Sequence, residues 1–189
     1  MANANNSIIT GRLKGMLGKE LVFREWAGKT VVAKAPRAPK GDPSSAQEET
    51  RERFLIASKY ANAVKQNPDQ SMTEAYASAL RPRQNVYSRA LEDCMTPPKV
   101  KDINTRAYTG AAGSKISVKA VDDFRVAEVQ VYIYSPDGSL LETGLAETEP
   151  RGILWNYTAT QANNAVAGTK ILAVATDIPG NEGMLEITL

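Results

Sequence analysis

The side chains best suited to hold a metal ion are three aspartates and an asparagine in the second half of the chain. They are Asp122, Asp123, Asp177 and Asn181. All four lie where loops between strands are expected, and calcium takes about six to eight carboxylate, amide or carbonyl oxygens as ligands. The interpretation we prefer is that residues 177–181 form an ordinary turn in which the Asp177 side chain bonds to nearby backbone, and a calcium site is the alternative. Calcium is therefore the one candidate cofactor, and no other is predicted.

Catalysis has little support in the composition. The chain of 189 residues has no histidine and a single cysteine, Cys94. Ser-His-Asp and Cys-His mechanisms, and all zinc sites that use histidine, are excluded for that reason. The sequence also lacks the glycine-rich loop followed by Lys-Ser or Lys-Thr that holds nucleotide phosphates. We therefore expect a protein that is not an enzyme.

Positive charge is concentrated at the start of the chain. Residues 1–42 contain eight basic and three acidic side chains, whereas residues 97–189 contain eight basic and eleven acidic ones. Basic side chains interleaved with aromatic ones are typical of proteins that bind single-stranded nucleic acid. An arm that docks on an acidic protein surface is the alternative, and we favour it. The predicted partner-binding residues are Phe23, Arg24, Trp26, Lys34, Arg37 and Lys40.

The first half of the chain is predicted to contain a β-hairpin and three helices. Residues 20–26 and 29–34 are rich in β-forming residues and are separated by Ala27-Gly28, a pattern typical of a hairpin. A Pro-rich connector, 35–43, follows it. Helices are predicted over 45–67, 72–80 and 84–95, with Ser71 as the cap of the second. The apolar stripe of the first helix is predicted to consist of Phe54, Ile56, Ala57, Tyr60, Ala61 and Val64.

The second half is predicted to be an antiparallel sandwich of about seven strands. Thr96-Pro97-Pro98 marks the change from helical to alternating patterns, so the predicted domains are 1–43, 44–96 and 97–189. Strands with period-two alternation and no helical pattern between them favour a β-sandwich. The fold class is therefore α+β. The predicted strands are 115–121, 126–134, 140–145, 152–158, 169–176 and 183–189.

Two segments of this half resemble bacterial immunoglobulin-like domains. They are AVDDFRVAEVQVYIYSPDG and GTKILAVATDIPGNEGMLEITL. The second contains an A-x-D-x-x-G-N motif, formed by Ala175, Asp177, Gly180 and Asn181. The resemblance implies an immunoglobulin-like sandwich of the kind found in surface and virion proteins, a scaffold that carries many functions. The first half, with its GKxxV…GKTVV hairpin, resembles uncharacterised proteins of Bacteroidetes and their phages.

Two aromatic residues of the predicted sandwich have two interpretations. Trp155 and Tyr157 are two apart in one strand and therefore lie on the same face. The interpretation we prefer is that both rings belong to the core, and the alternative is an exposed platform on which a sugar ring stacks.

Together these patterns predict a structural or adaptor subunit of a larger bacterial or bacteriophage assembly, in a virion or in a surface or filament structure. Its expected partners are proteins, including other copies of itself. The alternatives are a nucleic-acid-binding protein that uses the basic arm and a carbohydrate-binding adhesin module. The start of the sequence lacks the features of a secretory signal, and no run of about 20 apolar residues could span a membrane. We expect synthesis in the cytoplasm and a final place in a virion or other assembly.

Overall fold

A computed structural model describes residues 2–3, 13–26, 28–37, 41–150 and 152–189. The chain divides into two compact units, Met1–Glu49 and Thr50–Leu189. The predicted helical segment and the predicted sandwich thus fall mainly in one unit. The division into domains 1–43, 44–96 and 97–189 stays a prediction. Among the described residues, no helix is long and apolar enough to cross a membrane.

The first unit contains a four-stranded antiparallel sheet in the order β1-β4-β3-β2. The predicted hairpin is present, because Trp26 pairs with Lys29 across the turn that contains Gly28. Part of the segment before the hairpin forms an additional edge strand. The strands are β1 (Ala2–Asn3), β2 (Gly15–Leu17), β3 (Leu21–Trp26) and β4 (Lys29–Lys34).

Three helices follow: α1 (Ser45–Gln66), α2 (Ser71–Ser78) and α3 (Val86–Met95). Ser44 caps α1, since the Gln47 amide donates to its hydroxyl and the Gln47 side chain accepts from the Ser44 amide. Asn85 and Ser88 form the same reciprocal cap on α3. The prediction that Ser71 caps α2 is wrong. Ser71 is already the first helical residue, and its amide donates to the Asp69 carboxylate.

The apolar stripe predicted for α1 is only partly buried. Ala57, Ala61 and Val64 are buried as expected. Phe54 and Ile56 were assigned to the same stripe, but their side chains are 52% and 62% exposed. The helical spacing is correct, yet none of the described residues covers this part of the helix.

The sandwich consists of two four-stranded antiparallel sheets, β5-β6-β10-β9 and β12-β11-β7-β8. Lettered in chain order, these are A-B-E-D and G-F-C-C′, the strand order of an immunoglobulin-like sandwich. The strands are β5 (Lys99–Asn104), β6 (Lys115–Val121), β7 (Val126–Tyr134), β8 (Leu140–Leu145), β9 (Glu147–Thr148), β10 (Leu154–Thr158), β11 (Lys170–Asp177) and β12 (Glu182–Thr188).

Alternation along the strands builds the core between the two sheets. On β6 and β10, Val118 lies opposite Trp155, and Ile116 lies opposite Tyr157. Their side chains pack with inward residues of the facing sheet such as Val131. The core interpretation of Trp155 and Tyr157 is therefore confirmed, with exposures of 5% and 4%.

One glycine lets β12 approach the start of β5. A Cβ atom at Gly183 would lie 1.9 Å from the carbonyl oxygen of Pro98, closer than atoms can approach. Any other residue there would push the two chain segments apart, so the contact requires glycine.

Replacing Trp155 with Ala should lower the free energy of unfolding by about 3–5 kcal/mol, because the substitution leaves a large cavity in the core. Leu154→Ala is the matched control in the same strand, since Leu154 is 40% exposed. It should cost less than about 1 kcal/mol. Urea denaturation of both variants measures the difference, and equal effects would contradict the core assignment.

Candidate functional site

The predicted basic surface is divided between the two faces of the first sheet. Phe23 is buried and lies opposite Val32, whereas Arg24 is exposed on the other face, opposite Val31. By backbone register, Trp26 and Lys29 belong to the same face as Arg24.

The remaining predicted partner-binding residues lie at the end of β4 and beyond it. Lys34 is exposed and lies opposite Leu21, on the face of Phe23. Arg37 is exposed in the connector, and Lys40 lies outside the described residues. The structure thus places Arg24 on one face and Phe23 and Lys34 on the other, and a role for these residues in binding stays a prediction.

The four side chains of the predicted calcium site are engaged by protein groups instead. Among the described residues, no three Cys, Asp or Glu side chains are placed to hold one ion. The Asp122 carboxylate accepts from the Phe124 amide at 2.8 Å. The Asn181 amide group donates to Asp177 at 2.7 Å, as the alternative of an ordinary turn requires. Hydrogen bonds within the two loops thus engage Asp122, Asp177 and Asn181, and calcium binding by these groups stays a prediction.

Asp123 has a different role, since it pairs with a buried arginine of α3. The Arg89 side chain is 2% exposed and donates to the Asp123 carboxylate at 2.5 Å and to its backbone carbonyl at 2.6 Å. Arg81 donates to the same carboxylate from the chain segment before α3. Burial opposes ionisation of Asp123, but the hydrogen bonds from both arginines outweigh it and hold the pKa of Asp123 below its usual range.

Aromatic stacking strengthens this contact between the helices and the sandwich. Phe124, in the loop between β6 and β7, stacks on Tyr76 of α2 with ring centroids 4.4 Å apart. The Arg89 guanidinium lies 5.5 Å from the Phe124 ring centre, within cation–π range. At the other sandwich loop, the Asn181 side chain donates to the backbone carbonyl of Cys94 at the end of α3. We call this region, formed by α2, α3 and the two loops, the junction.

A chain of hydrogen bonds within the junction ends on a buried carboxyl group. The Tyr76 hydroxyl donates to one oxygen of Asp93 at 2.6 Å, and the Tyr60 hydroxyl lies 2.8 Å from the Tyr76 hydroxyl. Asp93 is 0% exposed, and its other carboxyl oxygen has no hydrogen-bond partner. Burial, together with the negative charges of Asp122 and Asp177, raises the pKa of Asp93 to about 7. The hydrogen bond from Tyr76 opposes this shift. A buried carboxyl group with few donors favours the neutral form.

The other titratable groups near Asp93 are also shielded. Burial and the Asp177 and Asp93 charges raise the pKa of the Cys94 thiol, which disfavours the reactive thiolate. Burial also raises the pKa of Asp177, although hydrogen bonds from Asn181 oppose this shift. The pKa of Tyr76 is raised by burial and by its bond to Asp93. The junction therefore holds a polar cluster in which Arg89 and Asp93 are almost completely buried.

An open groove of about 490 Å³ lies beside the junction, at the same end of the sandwich. Apolar side chains including Val126, Ile153 and Trp155 line much of it. Of the lining residues that the structure describes, only Asp122 and Arg125 carry charge, and Asp122 already accepts from a backbone amide.

Sequence reasoning missed the residues that hold the junction together. Tyr76, Arg89, Asp93 and Phe124 were not identified as a group. One signal was available, because Arg89 and Asp93 are four residues apart and share a helix face with neighbouring apolar positions. That signal does not reveal the partners, which lie on other elements far away in the sequence.

Comparisons with known proteins give no family for this chain. No family model matches it, and no curated protein matches it. Among solved structures, a tetra-tandem repeat from the extending region of a large adhesion protein is similar over 48% of this chain and 22% of that one, at 17% identity and a TM-score of 0.32. An engineered protein is similar over 53% and 21%, at 14% identity and a TM-score of 0.32. The chain thus spans about a fifth of either structure, and similarity this low says nothing about function.

Removing the partner of Arg89 should destabilise the second unit strongly. Asp123→Ala leaves a buried guanidinium without its carboxylate, which should cost about 3–5 kcal/mol. Glu92→Ala is the control, because Glu92 also pairs with Arg81 and Arg89 but is 36% exposed. It should cost about 1 kcal/mol or less. Chemical denaturation compares the variants, and a small loss in Asp123→Ala would show that the pair contributes little.

The raised pKa of Asp93 predicts a stability that depends on pH. The carboxyl group has a pKa of 3.8 when unfolded and about 7 when folded, so the folded state retains the proton between these values. The stabilising contribution of Asp93 to the free energy of unfolding is therefore fully present below about pH 4. It is lost as the pH rises toward 7, by about 1.4 kcal/mol per pH unit.

Asp93→Asn provides the comparison, because its side chain has a similar shape and does not titrate. The free energy of unfolding of the native protein minus that of this variant should fall between pH 5 and 6.5 and become constant above about pH 8. A difference that is the same at every pH would contradict the assignment.

Proposed function

We propose that this protein is a non-enzymatic structural or adaptor subunit of a larger assembly. The observation that carries the proposal is the sealed junction: Arg89 and Asp93 are 2% and 0% exposed. Strongly shifted pKa values mark catalytic sites when the groups line an open cleft, but structural networks shift them as well. Here the buried groups connect helices to a sandwich, which is what a rigid spacer or attachment module needs.

The exposed basic side chains of the first unit support an attachment role. Lys19, Arg24, Lys29 and Lys34 are exposed on or next to the four-stranded sheet. An acidic partner surface would complement them, and such complementarity speeds association and selects the partner. We propose protein partners, including further copies of this chain, whose sandwich segment carries more acidic than basic residues.

Nucleic acid is the second candidate partner. Arg24 and Trp26 occupy alternate positions of β3, and Lys29 pairs with Trp26 across the hairpin, so basic and aromatic residues are interleaved along it. Single-stranded nucleic acid is bound by such combinations. The carbohydrate-binding alternative has less support, because Trp155 and Tyr157 are buried and offer no platform for a sugar ring.

The setting of the assembly is a finer proposal. We propose a bacterial or bacteriophage structure, either a virion or a surface or filament component. Its support is the sequence resemblance of the A-x-D-x-x-G-N segment together with the immunoglobulin-like strand order. These modules are general scaffolds, so the fold is compatible with this setting without requiring it.

Charge reversal in the first unit tests the proposal. The double variant Arg24→Glu and Arg37→Glu changes exposed side chains, so stability should change by no more than about 0.5 kcal/mol per site. Light scattering should show that assemblies larger than a dimer weaken, and more at low than at high salt, because screening is then slight. The matched control is Lys115→Glu with Lys119→Glu, at exposed sandwich positions.

The same variants separate the two candidate partners. If the basic residues bind nucleic acid, the first double variant should lose affinity for a labelled single-stranded oligonucleotide, with a flatter salt dependence and unchanged assembly. If both double variants change assembly and oligonucleotide binding equally, the basic residues have no specific role and the proposal fails.

A further inference from the structure

The first three turns of α1 are exposed on every side. Each residue from 45 to 56 is exposed, whereas Ala57, Ala61 and Val64 in the following turns are buried. A helical segment of about 12 residues is marginally stable in water without packing. Arg53 donates to the backbone carbonyl of Met95 at the end of α3, but the large apolar side chains of these turns stay mostly exposed.

The exposed turns contain three consecutive large apolar residues, Phe54, Leu55 and Ile56. They are 52%, 56% and 62% exposed, and we call them the apolar turn. Successive helical residues are about 100° apart, so three of them cover about 200° of the helix circumference. That arc is wider than the single stripe of a helix lying on a flat surface. A single partner helix that crosses at these residues therefore covers part of this arc.

Charge along α1 indicates which partner fits. Residues 45–53 contain three acidic and two basic side chains, whereas residues 57–66 contain two lysines and no acidic side chain. The acidic end therefore precedes the apolar turn, and the basic end follows it. A second copy of the same helix, running antiparallel and crossing at the apolar turn, brings Glu49 and Glu52 of one copy within a turn of Lys59 of the other. In this antiparallel arrangement the positive end of each helix dipole also lies on the same side as the negative end of the other, which is favourable.

We propose that α1 is a self-association surface, on which the apolar turn packs against the same residues of a second copy in an antiparallel pair. A two-fold pair of this kind buries both apolar turns at once and is the commonest form of oligomer. The inference rests on the proposed function as a self-assembling subunit, and it names the contact that forms the dimer. The basic strands of the first unit would then serve larger assembly.

Sedimentation equilibrium of the full chain over a range of concentrations tests this contact. The native protein should show a monomer–dimer equilibrium, and Ile56→Glu should raise the dissociation constant by about tenfold or more, because a charge is placed in an apolar contact. Met184→Glu is the matched control, since Met184 is 63% exposed on the sandwich. It should leave the dissociation constant unchanged.

Charge exchange tests the antiparallel direction. Glu49→Lys and Lys59→Glu should each weaken the dimer, and the double variant should recover most of the native dissociation constant because the opposite charges face each other again. Circular dichroism and urea denaturation should show unchanged folding in each variant, since both side chains are exposed.

Three outcomes would overturn the inference. They are a native protein that stays monomeric at every concentration, a dimer that Ile56→Glu leaves intact, and a double variant no better than the single ones. The second would leave the proposed function standing if reversal of Arg24 and Arg37 still weakened larger assemblies, whereas the first would also contradict self-assembly in the proposed function. Conversely, a dimer lost in Ile56→Glu, with assemblies insensitive to the basic residues, would support the α1 contact alone.

Discussion

The Arg89 guanidinium cannot return to water while α3 is packed, so the protein must supply its partners. Asp123 provides both a carboxylate oxygen and a backbone carbonyl oxygen, and Phe124 adds its ring. Both residues belong to one short loop between β6 and β7. The position of α3 at the end of the sandwich therefore depends on that loop, and the loop depends on α3 in turn. Removing either partner would leave a buried charge, which costs more than the pair itself contributes.

The junction also concentrates negative charge around Asp93. Asp122 and Asp177 lie near enough to raise its pKa, and Arg89 is the cation that opposes them. Since Arg89 is already paired with Asp123, it compensates the other carboxylates only in part. A proton on Asp93 removes its negative charge and so reduces this repulsion. The hydrogen bonds from Tyr60 to Tyr76 and from Tyr76 to Asp93 then fix the relative positions of all three helices. Contacts from Phe124 to Tyr76, from Arg89 to Asp123 and from Asn181 to Cys94 connect α2 and α3 to the two sandwich loops.

Some elements could be predicted because their signals are local. The limits of β6, β7 and β8 follow from alternation and from the Asp137-Gly138 turn, and the structure has the same limits. The strand β5 was missed. Its apolar residues Val100 and Ile103 are three apart, because a register shift between Val100 and Asp102 interrupts the period of two. A bulge adds one residue to the pattern, so a search for strict alternation does not find the strand.

The candidate site was harder to predict than the fold. The aspartates at the loops were identified, but whether carboxylates cluster on an ion or bind arginine and amide groups depends on what approaches them. The two arginine partners of Asp123, Arg89 and Arg81, lie 34 and 42 positions earlier in the chain.

By itself, the sequence determined the α+β class, the hairpin, the helices and the sandwich core. It also excluded every chemistry that needs histidine. These features depend on residue type, period and turn chemistry, which act over a few residues at a time. Only the tertiary structure decided that the pKa of Asp93 is raised to about 7, that Asp123 holds Arg89, and that Phe54 and Ile56 are exposed on a helix whose pattern predicted their burial. Burial and pairing depend on which distant segments come together, and helical or strand periodicity carries no information about that.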